Sequence, residues 1–169
     1  AVHVVGSLPA DAIGRVVRQH LDTELGRTAL ARVMEASGGN PLYAIEFARD
    51  HLRTGRLGDR WLPVPPTLSD LVAGDLAGLP APTRDALLLA AASSSPTTAL
   101  VDAALLEPAE EAGIVKVERT GRITFQHPLW AATVYDGAPA NRRRAAHLRL
   151  AVAVDDVEER AQHRDLGTV

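Results

Sequence analysis

Hydrophobic residues in the first third of the chain recur at the spacing of amphipathic helices in three successive stretches. Their predicted inner faces consist of Ile13, Val16, Val17 and Leu21, then Leu30, Val33 and Met34, then Leu42, Ile45, Phe47, Ala48 and Leu52. A β-branched run at residues 2–5 precedes them and ends at Gly6, which is typical of a strand. The pattern therefore predicts a short strand followed by three packed helices.

The residues between the second and third helices predict a rigid elbow. Either Gly38 or Gly39 can adopt the left-handed conformation that ends a helix, and Asn40 is a good cap for the next one. Pro41 suits the first turn of that helix. On local chemistry alone this is a corner between two helices.

Helical spacing returns after a proline-rich break at residues 62–66. We expect a helix from an N-cap at Thr67, with an inner face of Leu68, Leu71, Val72 and Leu76. The stretch 86–92 is apolar on all sides and predicts a buried helix. Residues 100–112 predict one helix, or two short ones broken at Pro108.

The hydrophobic period changes from helical spacing to two over residues 114–127, which predicts a β-hairpin with a turn at Thr120 and Gly121. Helices are then predicted over 129–135, 140–154 and 158–166. The inner face of the longest consists of Ala145, Leu148 and Val152. The predicted fold is mainly α: a three-helix lid, then a winged-helix-like subdomain with one β-hairpin.

Composition narrows the function classes. The chain has 169 residues, of which 46% are hydrophobic, so it can form one domain or two small ones. The net charge of −3 argues against a polyanion-binding protein. The absence of cysteine excludes disulfides and thiolate chemistry and permits a cytoplasmic location. No apolar run reaches the roughly 20 residues of a membrane span. A first residue other than methionine leads us to expect a piece of a larger protein.

The motifs of common enzymes are missing from the sequence. Lys116 is the single lysine and lies in a predicted strand, so no P-loop exists and the segment alone is not an NTPase. The six histidines lack metal-site spacing, and no Gly-x-Ser-x-Gly elbow presents a nucleophile. We therefore assign neither catalytic residues nor a metal.

Three motifs together resemble a known family. Ser37-Gly38-Gly39-Asn40-Pro41-Leu42-Tyr43 is followed by Leu62-Pro63-Val64-Pro65-Pro66-Thr67-Leu68, and later by Phe125-Gln126-His127-Pro128-Leu129 with Ala131, Ala132 and Tyr135. In this order they resemble the lid and winged-helix parts of signal-transduction ATPases (STAND) related to the AAA+ class. The resemblance is strongest to large ATP-binding transcriptional regulators of the LuxR type. A complete winged helix of that family would have more residues between Leu89 and Gly113 than this sequence has. If residues are missing from this interval, we expect the gap to lie at 93–97.

The resemblance implies a nucleotide switch acting in the cytoplasm. It makes Asn40 and Pro41 face the adenine of ATP or ADP, and it makes His127 a latch on the ADP diphosphate. Mg²⁺ and most of the nucleotide would be held by an upstream P-loop core in the same chain, where the full-length protein could hydrolyse ATP slowly. A downstream helix-turn-helix would bind DNA, and a small molecule or protein would act as inducer. This segment itself would contact neither nucleic acid nor membrane.

The same resemblance sets the expected boundaries. Residues 1–58 would comprise the end of the ATPase core and the helical lid, and 59–66 a linker. The winged-helix-like subdomain would occupy 67–154, and a further helical region would start at 155–169.

Two alternatives remain open at this stage. The chain could be a DNA-binding winged-helix protein without nucleotide dependence, or a helical interaction scaffold. Against DNA binding, the segment before the hairpin is acidic, with Asp102, Glu107, Glu110 and Glu111. The arginines at 142–144 and Arg149 are typical of the solvated face of an amphipathic helix. For His127, the competing interpretation is a simple helix cap.

Overall fold

The computed structural model describes residues 7–55, 63–154 and 156–168, and the predicted strand at 2–5 and linker residues 59–62 lie outside them. The described chain is mainly helical with one small two-stranded antiparallel sheet, as the hydrophobic pattern predicts. It divides into two compact units, residues 1–71 and 72–169.

The first unit is built on three helices that pack against one another: α1 (Ala10–Leu21), α2 (Arg27–Ser37) and α3 (Pro41–Thr54). The start of α4 (Pro66–Ala77) also belongs to it. Its fully buried side chains are mostly those that the helical spacing predicts, and they include Ile13, Val17, Val33, Phe47 and Leu68. Burial of each such side chain contributes about 1.5–3 kcal/mol.

Three leucines that were predicted to lie on inner helix faces, two in the lid and one in the winged-helix-like subdomain, are on the surface. Leu42 is 57% exposed, Leu52 47% and Leu71 60%, so their assignment to an inner face is wrong. The helix α3 instead buries a narrower stripe of Ala44, Phe47 and Ala48.

The helix α4 begins one residue earlier than the predicted cap. Pro66 is its first residue, and the amide of Leu68 donates to the carbonyl of Pro65 at 2.9 Å. Proline is favoured there because the first amides of a helix have no partner within it. Thr67, the predicted N-cap, lies inside the helix, and its hydroxyl donates to Glu46 Oε2 on α3 at 2.9 Å.

The second unit surrounds the buried helix that the apolar run predicts. In chain order it contains the rest of α4, then α5 (Ala81–Ala92), a 3₁₀ helix (Ala103–Leu106), α6 (Glu107–Glu111), β1 (Val115–Val117), β2 (Ile123–Phe125), α7 (Pro128–Gly137), α8 (Ala140–Ala153) and α9 (Val157–Thr168). Every residue of α5 from Ala86 to Ala92 is buried. The helices α7 and α8 pack on α5, so α5 forms the centre of this unit.

The predicted hairpin is present, and a third segment joins it. Val115 pairs with Phe125 in the antiparallel register, and Gly121 has a φ of 82° in the turn. A single bridge between Thr97 and Arg122 lies beside the hairpin, and the Thr98 amide donates to the Gly121 carbonyl at 2.8 Å. The alternation of hydrophobic residues does not predict this bridge, because only one residue of the third segment takes part in it.

Two short helices, rather than one, precede the hairpin. The 3₁₀ helix passes directly into α6, and Pro108 lies in the first turn of α6. The break therefore comes before the proline, where its missing N–H disrupts no helical hydrogen bond.

The predicted inner face of α8 is wrong. Ala145, Leu148 and Val152 lie on its surface, and Val152 is 88% exposed. The buried side chains are Ala146, His147, Leu150 and Ala151, one position further along the helix. Two neighbours cover this face, since Ala146 and Leu150 pack into the core around α5 and His147 faces His163 of α9. The helix α9 packs along α8 so closely that a Cβ at Gly167 would lie 2.8 Å from the Leu148 side chain.

Candidate functional site

The elbow between α2 and α3 is capped as the sequence predicts. Asn40 has extended backbone angles (φ −78°, ψ 119°), and its Oδ1 accepts from the amides of Leu42 at 3.0 Å and Tyr43 at 3.3 Å. Pro41 follows as the first residue of α3 and is exposed. The two residues assigned to the nucleotide base thus lie side by side at the positive end of the α3 dipole.

Both glycines of the elbow use the conformational freedom that glycine provides. Gly38 ends α2 with a φ of 55°, and Gly39 follows with a φ of 77°. The carbonyl of Gly39 accepts from the Leu8 amide at 2.9 Å, and a Cβ on Gly39 would lie 2.7 Å from the Leu8 oxygen. The elbow is therefore held against the segment that precedes α1, and a side chain at Gly39 would have no room.

His127 connects β2 to α7 and caps that helix. Its backbone is extended (φ −146°, ψ 142°), and its Nδ1 accepts from the Leu129 amide at 3.0 Å. An imidazole nitrogen that accepts a hydrogen bond carries no proton, so the Nδ1 of His127 is deprotonated. In the neutral ring the proton then resides on Nε2. His127 thereby combines a helix cap on one nitrogen with an N–H donor on the other.

The three predicted nucleotide residues fall in different units. Asn40 and Pro41 belong to residues 1–71, and His127 belongs to residues 72–169. Each unit therefore supplies one capped helix N-terminus that begins with proline, Pro41 in α3 and Pro128 in α7. Simultaneous contact of both units with one nucleotide stays a prediction.

The region that would read DNA in a winged helix is acidic and partly engaged within the fold. The helix α6 contains Glu107, Glu110 and Glu111 and no basic residue. Glu110 Oε1 accepts from the backbone amide of Val117 at 2.7 Å, so this carboxylate supports the hairpin. Phosphate would be repelled from this helix.

The arginines of α8 serve contacts inside the second unit. Arg142 forms an ion pair with Asp85 at the start of α5. Arg143 donates to the carbonyls of Asp136 (3.3 Å) and Ala138 (2.8 Å), at the C-terminal end of α7. A guanidinium is well placed at the negative end of a helix dipole. Arg143 thus stabilises the join between α7 and α8, and Arg142 links α8 to α5.

Sequence reasoning missed a chain of polar side chains that links α7, α8 and α9. Tyr135 Oη lies 2.7 Å from His147 Nε2, and His147 Nδ1 lies 2.9 Å from His163 Nδ1. His163 Nε2 in turn faces Glu159 Oε1 at 3.6 Å, and Glu159 also accepts from the Ser94 hydroxyl. The two histidines are only 1% and 2% exposed.

The sequence contains one signal for this chain of side chains. Glu159 and His163 are four residues apart and so share one face of a predicted helix. The sequence does not identify His147 as its partner, because the hydrophobic spacing of α8 predicts a different buried face, on which His147 does not lie. The spacing of 16 residues between His147 and His163 also does not match any short metal-binding motif.

Other chemistry in the described part of the chain is limited. No group of three or more histidine and carboxylate side chains there is arranged to hold a metal ion. A pocket of about 280 Å³ lies beside α1, lined by Asp11, Arg15, Arg18 and Glu24 among others, but these charges form ion pairs with each other. The hydrogen bond from Arg15 lowers the pKa of the Asp11 carboxyl. None of the described helices has the length and hydrophobicity needed to cross a bilayer.

No protein-family model, curated protein or solved structure matches this chain.

Proposed function

We propose that this chain is the regulatory nucleotide-switch segment of an ATP-dependent transcriptional regulator of the LuxR type. In this proposal the first unit is a helical lid and the second a winged-helix-like subdomain. Both close over ATP or ADP that an upstream P-loop core in the same protein binds with Mg²⁺. An inducer would favour release, so that a downstream helix-turn-helix acts on DNA in the cytoplasm.

The observation that carries the proposal is the state of the His127 ring. Because Nδ1 accepts from the Leu129 amide, the neutral ring holds its proton on Nε2. The site also lies at the N-terminus of α7, where the helix dipole favours anions. A phosphate that reached Nε2–H would meet a donor whose tautomer is already fixed. Capping and latching are therefore compatible roles of one side chain.

The elbow gives independent support from the other unit. Its cap fixes the orientation of Asn40, and Pro41 stands exposed at the first turn of α3, where it could pack against a flat base. A proline ring loses no side-chain freedom on such a contact. The elbow is also fixed by its bond to Leu8, so a bound base would meet a rigid surface.

The order of elements in the second unit supports a winged helix. A central helix α5 is followed by the Thr97 bridge, two short helices and the β1–β2 hairpin. The hairpin then leads directly into the His127 cap of α7. The wing would thus transmit its position to the proposed latch through a single residue.

The experiment that tests the proposal is nucleotide titration of a protein in which the upstream core is restored. We expect His127→Ala to weaken ADP binding about ten- to hundredfold, the equivalent of a charged hydrogen bond of about 1.5–3 kcal/mol. ATP binding should suffer less, since the latch holds the diphosphate of the resting state.

The matched variant His127→Asn separates the two roles of this residue. Asparagine is a good N-cap, so it preserves the first turn of α7 but removes the distant N–H donor. We expect it to lose ADP affinity as His127→Ala does. If His127→Asn binds ADP like the wild type, His127 is only a helix cap and the latch is rejected.

Pro41→Ala should weaken ATP and ADP by a smaller and equal factor, because both share the adenine base. His20→Ala, an exposed histidine on α1, serves as the control and should change neither affinity. If Pro41→Ala bound both nucleotides as tightly as the wild type, the elbow would have only a structural role as the corner between two helices.

The rival functions make different predictions for this chain on its own. Without a P-loop, the chain should bind ADP weakly or not at all, and micromolar binding in calorimetry would contradict our proposal. A DNA-binding winged helix would select one sequence from a random duplex library at about 150 mM salt, which the acidic α6 leads us not to expect. A helical interaction scaffold would bind neither ADP nor DNA. In the protein that includes the upstream core, substitution of His127 or Pro41 would then leave nucleotide affinity unchanged.

A further inference from the structure

The buried histidine pair restricts how many protons it can hold. His147 Nδ1 and His163 Nδ1 are 2.9 Å apart, which is a hydrogen-bond distance between two ring nitrogens. Such a bond needs one nitrogen with a proton and one without. If both rings were imidazolium ions, two N–H groups would point at each other and two positive charges would lie in contact. The folded pair therefore accommodates at most one added proton.

Glu159 selects the arrangement of the neutral pair. If His163 donated from Nδ1, its Nε2 lone pair would face the Glu159 carboxylate at 3.6 Å, which is repulsive. The favourable alternative places the protons on His147 Nδ1 and His163 Nε2. His147 Nε2 then accepts from the Tyr135 hydroxyl at 2.7 Å. Both ring nitrogens of His147 and Nδ1 of His163 then form hydrogen bonds, and the proton on His163 Nε2 points toward the Glu159 carboxylate.

One added proton leaves this chain of contacts intact. A charged His163 donates from both nitrogens, to His147 Nδ1 and toward Glu159, and His147 then donates from Nε2 to the Tyr135 oxygen. The Glu159 carboxylate balances the charge. A second proton has no such arrangement, since it would occupy the Nδ1 that must accept.

The groups around the pair come from each neighbouring element. Tyr135 approaches from α7, Glu159 from α9 and the Ser94 hydroxyl from the loop after α5. The Arg143 guanidinium of α8 lies over the Tyr135 ring, 5.7 Å from its centre. The Glu159 carboxylate, 3.6 Å from His163 Nε2, can offset one positive charge on the pair.

We propose that His147 and His163 form a one-proton switch that holds α9 against α8 near neutral pH and releases α9 on acidification. In the released state each ring is hydrated and takes its own proton, as an unperturbed histidine does near pH 6.5. The released state then binds two protons and the closed state at most one. The opening equilibrium constant must therefore rise as the pH falls, and the factor approaches at least about tenfold per pH unit well below pH 6.5.

The direction of the pH dependence follows from the number of protons that the closed and the released states bind. Because the open state binds more protons, the closed state loses stability as the pH falls and regains it as the pH rises. The effect concerns α9 first, since His163 and Glu159 both belong to that helix. This inference does not depend on the proposed nucleotide role.

The experiment is hydrogen exchange of the α9 backbone amides in the complete 169-residue chain between pH 7.5 and 5. Protection factors remove the intrinsic pH dependence of amide exchange. We expect protection of residues 158–168 to fall at least about sixfold from pH 6 to pH 5. Protection in α1 to α3 should change by less than about threefold over the same interval.

The variant His163→Asn keeps an acceptor and removes one proton site. Asparagine Oδ1 takes the place of His163 Nδ1, so a charged His147 can still donate to it from Nδ1. The closed state can then bind as many protons as the open state. We expect the protection of α9 to be lower at pH 7.5 but to change by less than about threefold from pH 6 to pH 5. His20→Asn, at an exposed histidine of α1, should retain the full wild-type pH dependence.

Nitrogen NMR of the ring atoms decides the matter without any substitution. At pH 7.5 we expect His147 protonated on Nδ1 and His163 on Nε2. Two imidazolium rings at pH 5 with α9 still protected would overturn the proposal, as would an α9 protection that does not depend on pH. If His163→Asn fails to fold, these two wild-type measurements remain sufficient.

Discussion

Two junctions in this molecule use one device with different chemistry. Asn40 before Pro41 and His127 before Pro128 each cap a helix that begins with proline. In each, a side-chain acceptor lies 3.0 Å from the amide two residues on, which belongs to Leu42 in one case and to Leu129 in the other. The amide oxygen of Asn40 does not ionise, whereas the imidazole nitrogen of His127 does.

The backbone that leads into these caps also differs. The α2–α3 junction reverses the chain through Gly38 and Gly39, both with positive φ. His127 simply extends β2, with a φ of −146°. The first junction therefore depends on glycine and the second on protonation. Three substitutions can break or sharpen this contrast.

The largest effect is expected for Gly39→Ala. A Cβ at this position would lie 2.7 Å from both the Leu8 carbonyl oxygen and Ser7 Cβ, in a backbone conformation with φ +77°. Strain and overlap together should destabilise the first unit by about 2–4 kcal/mol. Urea unfolding combined with hydrogen exchange of α1 to α3 measures this loss.

Gly55→Ala is the matched control for that substitution. Gly55 has a similar φ of +67°, but nothing lies within 4 Å of its would-be Cβ. It should cost only about 1 kcal/mol, the penalty of a left-handed alanine. If both variants lost the same free energy of unfolding, the close approach of Leu8 to the elbow would make no contribution to stability.

A smaller effect is expected for Asn40→Ala, which leaves the Leu42 and Tyr43 amides without their side-chain acceptor. Loss of such a cap costs about 1 kcal/mol. The exchange rates of these two amides should rise about fivefold, while Asn40→Asp keeps the cap and should be neutral or slightly stabilising. An unchanged rate in Asn40→Ala would mean that water replaces the cap at no cost.

The smallest effect is the pH dependence of the α7 cap. Protonation would replace the acceptor Nδ1 of His127 by an N–H and place positive charge at a helix N-terminus, and both changes are unfavourable. The cap is therefore present above the pH at which imidazole ionises and is lost as the pH falls. We expect the Leu129 amide to lose protection worth about 0.5–1 kcal/mol from pH 7.5 to pH 5.

His127→Asn should abolish this pH dependence and make the α7 junction behave like the α3 junction. The exchange of the Leu42 amide, capped by Asn40, provides an internal reference in the same sample. Identical pH profiles for Leu42 and Leu129 in the wild type would contradict the difference between the two caps.

The caps were the part of the molecule that sequence reasoning predicted best. Glycine, asparagine and proline at 38–41 restrict the backbone through their own covalent structure, so the elbow follows from neighbouring residues alone. The cap at His127 was foreseen as one interpretation for the same reason. The nucleotide roles of Asn40, Pro41 and His127 stay predictions.

Tertiary packing was harder to predict, because it depends on which face a neighbour covers. In α8 the alanines at 145, 146 and 151 give almost no preference between adjacent faces, and His147 reads as a polar surface residue. The contacts of α8 with both α5 and α9 fix the rotation that buries His147. The histidine pair depends on two side chains from different helices, and no local pattern encodes that relation.

The helix α7 separates two ionisable imidazoles. His127 caps its first turn, and Tyr135, near its other end, contacts His147. At a rise of about 1.5 Å per residue, the eight steps from 127 to 135 span about 12 Å. The helix therefore connects the proposed latch at one end to the buried histidine pair at the other. A displacement of α7 along its axis would move the His127 cap and the Tyr135 hydroxyl together.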